Sequence, residues 1–227
     1  LNLINREEYL AWLHAWRDKQ IIKVVSGVRR CGKSTLFSLF KNQLLKNGVR
    51  QEQIISINFE AIEYEALQDY HQLYNYIVER LQEGQKNYIF LDEVQHCHDY
   101  QKAVDSLFIK DNCDIYLTGS NAYFMSGELA TVLSGRYVEL KMLPLSFKEF
   151  VSGLEQKYLS LSLAEKFNLY LSYGAFPFIV RYDSFGEEAV NYLQDVYNTI
   201  ILKDVVNRLK IADITSLDRV TRFMAHN

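Results

Sequence analysis

The stretch GVRRCGKSTL, from Gly27 to Leu36, constrains the fold of this chain more than any other feature. It matches G-x-x-x-x-G-K-[ST], in which a glycine-rich turn between a strand and a helix wraps around a phosphate group. An apolar run ends at Ser26, and an amphipathic helix is predicted for 34–46. A plain glycine turn is the weaker interpretation, because the strand and the helix lie where the motif needs them. The fixed positions are Gly27, Gly32, Lys33 and Ser34.

The residue types in this loop predict the role of each position. Two glycines let backbone N–H groups point at a β-phosphate, and the following helix presents its positive end. Lys33 is predicted to bridge the β- and γ-phosphates, and the Ser34 hydroxyl to ligate Mg²⁺. The chain has no Asn-Lys-x-Asp guanine signature, which favours ATP without proving adenine. The other predicted nucleotide contacts are Arg29, Arg30, Cys31 and Thr35.

A second motif, NYIFLDEVQ, places two acids directly after an apolar strand. Asp92 is predicted to hold the metal, and Glu93 to polarise the water that attacks a γ-phosphate. The alternative is that the two acids simply end a strand in solvent. The phosphate loop earlier in the chain makes this alternative less favoured. Because phosphoryl transfer to an acceptor hydroxyl needs no water-activating Glu here, the pair favours hydrolysis over transfer.

Two further stretches supply candidate catalytic residues. In IYLTGSNAY, a strand is followed by small polar residues, of which Ser120 is the first choice and Asn121 the second for contact with the γ-phosphate or the water. Taken alone, the stretch is also typical of a turn. In LSGRYVEL, Arg136 opens a strand and could neutralise the transferring phosphoryl group, in cis or from a neighbouring subunit. An equally favoured alternative is that the positive charge of this arginine interacts with the negative C-terminal end of the preceding helix.

The distribution of strands and helices predicts two parts. Five apolar runs between residues 21 and 140 alternate with helical stretches, including one over 65–83 and one over about 122–133, so residues 1–141 are predicted to form an α/β domain with a parallel sheet. After Pro144 only helical periodicity follows, which predicts a small helical module over 142–210.

Composition limits the partners and the cell compartment that we expect for this chain. The net charge is −3, so no overall field attracts nucleic acid or anionic lipid. Three cysteines without paired spacing favour free thiols in a reducing compartment, which predicts the cytoplasm. No window approaches 18 apolar residues, and we therefore expect no membrane association.

The motifs, in this order, resemble the AAA-type P-loop ATPases of bacteria and archaea, in particular a group whose nucleotide domain precedes a C-terminal domain of unknown function. The resemblance rests on 27–35, 91–95, 118–121 and the stretch LSGRYVELKMLPLSFKEF over 133–150. It implies a three-layer αβα fold, a five-stranded sheet of order 5-1-4-3-2 and a helical lid. It also implies the roles given above for Lys33, Ser34, Asp92, Glu93 and Ser120.

The resemblance leaves some positions open. A lid arginine that senses nucleotide is expected, but Arg181 and Arg208 are both candidates and no motif chooses between them. Residues 211–227 look like the start of a further, winged-helix-like module, so we expect the reading frame to continue.

Two functions follow as hypotheses. The first is a Mg²⁺-dependent ATPase that couples hydrolysis to movement of the lid and the downstream part. The second is a nucleotide-dependent binding or signalling switch with little intrinsic turnover, for which DNA is one candidate partner. A homo-oligomer is required if Arg136 acts in trans, and a protein or DNA partner would be met through the C-terminal part.

Overall fold

A computed structural model describes residues 4–120, 133, 135–154, 158–181, 185–200, 205–206 and 213–226. Its first half alternates helices and strands. The strands are β1 (Ile22–Gly27), β2 (Ile54–Asn58), β3 (Asn87–Asp92), β4 (Cys113–Ser120) and β5 (Tyr137–Met142). The helices in this half are α1 (Glu7–Trp16), α2 (Lys33–Lys46), α3 (Tyr70–Val78) and α4 (Tyr100–Phe108).

The five strands form one sheet in the order β2-β3-β4-β1-β5, and each neighbouring pair is parallel. This confirms the expected order 5-1-4-3-2 and the α/β class. Since all carboxyl ends of a parallel sheet lie at one edge, the loops after β1, β3 and β4 meet there.

Helices cover both faces of the sheet, as the alternation of strand side chains requires. Val24 belongs to the core on the side of α3 and α4, whereas its neighbour Val25 belongs to the core with α1 and α2. The interior of the second core is aromatic: the rings of Phe90 and Tyr116 stack with centroids 4.8 Å apart. These contacts give the predicted three-layer αβα arrangement.

After β5 the described chain is helical, with α5 (Phe147–Gly153), α6 (Leu163–Tyr173), α7 (Glu187–Thr199) and α8 (Ile214–His226). Ser146 and Ser162 each begin a helix with a capping box, pairing with Glu149 and Glu165 respectively. A small apolar cluster around Phe150 holds α5 to its neighbours. None of the described helices combines the length and hydrophobicity needed to cross a bilayer.

One helix prediction was wrong in detail. The stretch over 65–83 is not a single helix, because a 3₁₀ segment (Ile62–Gln68) ends where Asp69 adopts an extended backbone. The Asp69 side chain then accepts hydrogen bonds from the N–H groups of His71 and Gln72 and begins α3. The helix predicted for about 122–133 lies almost entirely outside the described residues.

Candidate active site

The loop between β1 and α2 is shaped by its two glycines. A Cβ on Gly27 would lie 2.5 Å from the carbonyl oxygen of Met142 and 2.8 Å from Sγ of Cys31, so no side chain fits there. Gly32 has φ +106°, which L residues rarely adopt. Both positions therefore require glycine, and α2 begins immediately after Gly32.

Lys33, the first residue of α2, turns its ammonium group into the loop. Its Nζ donates to the carbonyl oxygens of Gly27 at 3.1 Å and Val28 at 3.4 Å, and lies 3.4 Å from Oε1 of Glu93. The residue is only 4% exposed. Ser34 next to it is exposed and Thr35 is half-buried. The charged group of Lys33 is thus buried inside the loop that the motif assigns to a phosphate.

The acid pair lies opposite this lysine. Asp92 ends β3, and Glu93 follows in the left-handed region with φ 53°, and each is 7% exposed. The Thr118 hydroxyl donates to Oδ1 of Asp92 and accepts the backbone N–H of Glu93 at 2.9 Å. One hydroxyl on β4 therefore holds the carboxylate of Asp92 and the backbone of Glu93.

Thr118 is a site residue that the sequence analysis missed. It lies in the stretch from which Ser120 and Asn121 were selected, two residues before Ser120. Leu117 pairs with Leu91 across β3 and β4, so the next residues, Thr118 and Asp92, lie side by side. Aligning the two predicted strands on their apolar residues would have found this contact.

Gln95 is a second missed residue. It belongs to a short 3₁₀ turn (Val94–His96) after the acids, and its Nε2 donates to Oε2 of Glu93 at 2.6 Å. The two carboxylate oxygens of Glu93 thus have different neighbours, Lys33 on one side and Gln95 on the other.

A cavity of about 460 Å³ opens beside the loop. The loop residues Arg29 to Thr35 form one wall with Glu93, except for Cys31, and Pro177 and Tyr192 from the C-terminal helical part form another. Arg29 lies 3.7 Å from Glu60, and the Arg30 guanidinium lies 5.4 Å from the ring centroid of Tyr192. A volume of this size is in the range of small-molecule sites.

Cys31 does not line this cavity. Its side chain is fully buried, and burial raises the pKa of its thiol. Its carbonyl oxygen accepts a hydrogen bond from Nη1 of Arg6 at 3.3 Å. The same guanidinium, 4% exposed, donates to the carbonyl oxygen of Leu143 at 2.8 Å and to Oε1 of Glu149 at 2.7 Å. Arg6 therefore joins the loop to the start of α5.

The structure brings most of the predicted residues together but not all. Arg29, Arg30, Gly32 to Thr35 and Glu93 line one cavity at the carboxyl edge of the sheet. Gly27 contacts Lys33 through its carbonyl oxygen, and Asp92 directly precedes Glu93. Ser120 pairs with Gly27 through the backbone, so its position is at the same edge. The Ser120 and Arg181 side chains, Asn121 and Arg208 lie outside the described part.

Arg136 lies at the opposite edge. Its carbonyl oxygen accepts the N–H of Ile22, the first residue of β1, at 2.8 Å. Its Nη1 lies 2.7 Å from Oδ1 of Asp105 on α4, and its side chain is 47% exposed. The length of β1, about 17 Å at the usual strand rise, separates it from the loop. Within one chain, Arg136 does not reach this site.

The fold, the loop and the acid pair together define a P-loop nucleotide-binding protein. A family model described as an AAA domain matches residues 19–151, more than half of the chain. The chain belongs to this family.

Relatives extend the comparison. An uncharacterized protein of Haemophilus influenzae is 40% identical over 226 residues, which are 99% of this chain and 56% of that protein. One from Methanocaldococcus jannaschii is 30% identical over 212 residues, covering 86% of this chain and 44% of that protein. The chain therefore spans about half the length of these curated relatives.

Solved structures show the same fold. The Walker-type ATPase of Pyrococcus abyssi aligns with a TM-score of 0.60 and 17% identity, over 92% of this chain and 76% of that one. The ADP form of the ORC2 protein of Aeropyrum pernix aligns with a TM-score of 0.53 and 14% identity, over 86% and 69%.

Proposed function

We propose that this AAA domain binds ATP with Mg²⁺ and hydrolyses its γ-phosphate, coupling nucleotide state to movement of the helical part and of whatever follows it. The observation that carries the proposal is the meeting of Lys33 and Glu93, from different strand ends, inside one loop-lined cavity. A lone phosphate loop needs no buried acid beside its lysine.

The donor set suits Mg²⁺. Mg²⁺ prefers hard oxygen ligands, and a hydroxyl from Ser34 and a carboxylate from Asp92 are of that type. Thr118 holds the Asp92 carboxylate in one orientation by its hydrogen bond. Ser34 and Asp92 would hold the ion, which when bound supplies positive charge against the β- and γ-phosphate oxygens.

The chain's own residues would divide the remaining work. Lys33 would leave the loop carbonyls and Glu93 for the phosphate oxygens, and the loop N–H groups would hold the β-phosphate. Glu93, freed from Lys33, would accept a proton from the attacking water. Ser120, with Asn121 as the alternative, would contact the γ-phosphate or that water from the end of β4.

The helical part would sense the nucleotide because it lines the same cavity. Pro177 and Tyr192 face the loop, and Arg6 ties the loop to α5 through Glu149. We propose that 1–141 form the ATP-binding domain, that 142–210 form the lid, and that 211–227 begin a further module.

A nucleotide-dependent switch with little turnover is the second candidate. The position of Arg136 favours it, since an arginine finger from that residue must come from a neighbouring subunit. We propose that assembly, or a protein or DNA partner bound by the region present in the longer relatives, raises the rate. The cytoplasm suits the three buried free thiols.

Calorimetric titration with Mg-ATP and Mg-GTP, with phosphate release followed in the same samples, tests this proposal. We expect selective ATP binding by the wild type and a loss of at least about 100-fold in affinity for Lys33→Ala. Lys46→Ala, which removes an exposed lysine at the far end of the same helix, is the matched control. Equal affinities in all three proteins would contradict the assignment of the loop.

A further inference from the structure

The Gln95 side chain is oriented by Glu93 and not by its own hydrogen-bonding needs. Its Nε2 donates to Oε2 of Glu93, whereas its Oε1 is buried and accepts no hydrogen bond from the described part of the chain. A carboxylate only accepts, so the amide nitrogen must be the group that faces it. Leaving a buried carbonyl oxygen without a partner costs free energy. The contact with Glu93 therefore dominates the placement of this amide.

Glu93 is held at three points, but only one of them can hold its carboxylate throughout the proposed reaction. Its N–H is fixed by Thr118, in a left-handed backbone conformation that few non-glycine residues adopt. Oε1 lies near Lys33, which the nucleotide is proposed to draw away. Oε2 keeps Gln95. Once Lys33 has left, Gln95 is the described contact that still fixes the direction of the carboxylate.

We propose that Gln95 is a positioning residue for Glu93, a role that rests on the proposed hydrolysis. The amide holds Oε2 so that Oε1, vacated by Lys33, points at the attacking water. The water oxygen bonds to the γ-phosphorus, the bond to the bridging oxygen breaks with its electron pair left on ADP, and a water proton passes to Oε1 of Glu93. Gln95 exchanges no proton and acts by geometry alone.

A double-mutant cycle in the full chain separates this role from a purely structural one. Gln95→Met keeps the length of the side chain and removes the amide donor. We expect kcat for ATP to fall about 10- to 100-fold, with the dissociation constant of Mg-ATP changed less than about threefold. In a Glu93→Gln background, Gln95→Met should change the remaining rate little, because Gln95 acts through that carboxylate. Gln95→Glu should behave like Gln95→Met or worse, since its carboxylate cannot donate to Glu93.

Gln101→Met, the same chemical change on α4 and away from the cavity, is the control and should leave both constants unchanged. Turnover by Gln95→Met equal to that of the wild type overturns the positioning role while leaving the proposed hydrolysis intact. So does an equal loss in the wild-type and Glu93→Gln backgrounds. A wild type that binds Mg-ATP but releases no phosphate overturns the hydrolysis, and the positioning role with it.

Discussion

A buried lysine lies beside an acid at each of the two edges of the sheet. The two pairs differ in the other groups that contact them. At the amino edge, Lys23 of β1 contacts Oδ1 of Asp114 and donates to the Lys19 carbonyl oxygen at 2.8 Å. Asp114 also accepts the hydroxyl of Tyr116 at 2.8 Å and the N–H of Asp18 at 2.9 Å. Protein groups fill both sides of this pair.

At the carboxyl edge, Lys33 has two loop carbonyls and one oxygen of Glu93 at 3.4 Å. In the proposed function, phosphate oxygens take the place of each of these. Burial does not separate the two lysines, since they are 0% and 4% exposed. Burial lowers the pKa of Lys23, although Asp114 opposes that effect. The comparison teaches that surroundings, and not depth, distinguish the two lysines: a cavity adjoins Lys33, whereas protein groups enclose the pair of Lys23 and Asp114.

Breaking the amino-edge pair should have the largest effect on stability. Lys23→Met leaves Asp114 buried without its cation, so the free energy of unfolding should fall by about 3–5 kcal/mol. ATP affinity per folded molecule should not change, because the pair lies at the other edge. Urea unfolding measures the first quantity, and calorimetry at low temperature the second.

Two variants control this prediction. Lys46→Met removes an exposed lysine and should cost less than about 1 kcal/mol. Lys23→Met combined with Asp114→Leu removes both charges and should recover part of the loss. A single variant as stable as the wild type would show that the amino-edge pair contributes nothing to the fold.

Thr118→Val should show an intermediate effect, because this carboxyl-edge residue has protein partners on both sides of its hydroxyl. Loss of bonds to the Asp92 carboxylate and the Glu93 N–H should lower the free energy of unfolding by about 1.5–3 kcal/mol and reduce phosphate release. Thr118→Ser keeps the hydroxyl and should stay closer to the wild type in both measurements. If the valine and serine variants behaved alike, the hydroxyl would not orient the acids.

Arg136→Ala should have the smallest effect on the isolated chain. Its ion pair with Asp105 is half exposed, so the loss of stability should be below about 1 kcal/mol. Phosphate release per chain should be unchanged in dilute solution and reduced only at concentrations where chains associate. Rates measured across a dilution series test this. A reduced rate that does not depend on concentration would exclude a role confined to the neighbouring subunit.

Local patterns predicted the sheet and the loop because both depend on short-range chemistry. Gly27, Gly32 and Lys33 are required by one turn, and the apolar runs alternate with helices in a way that only a parallel sheet accommodates. The position of Arg136 is a consequence of the same parallel topology. In a parallel sheet, every strand begins at one edge and ends at the other. A residue that directly precedes a strand therefore lies at the edge opposite to the loops that follow the strands.

Other features depend on contacts between distant segments, which spacing does not encode. The hydroxyl of Thr118 reaches Asp92 and the Glu93 N–H because β3 and β4 pair in one register, which becomes visible only when the two strands are aligned with each other. Gln95 is near Glu93 in sequence, but their contact forms in a turn whose left-handed Glu93 backbone the residue pattern does not predict. The contacts of Arg6, the residue before α1, with Leu143 and Glu149 link residues more than 130 positions apart.

Arg6 also bears on where the folded unit of this chain begins. The family similarity starts at residue 19, after the whole of α1. A truncated protein that followed this boundary would lose the guanidinium that fastens the Cys31 carbonyl, and with it the link from the loop to Glu149. The loop would keep its contact between Arg30 and Tyr192, but it would lose the hydrogen bonds that join it to α5. For expression, the segment ahead of the matched region should therefore be kept with the loop that it fastens.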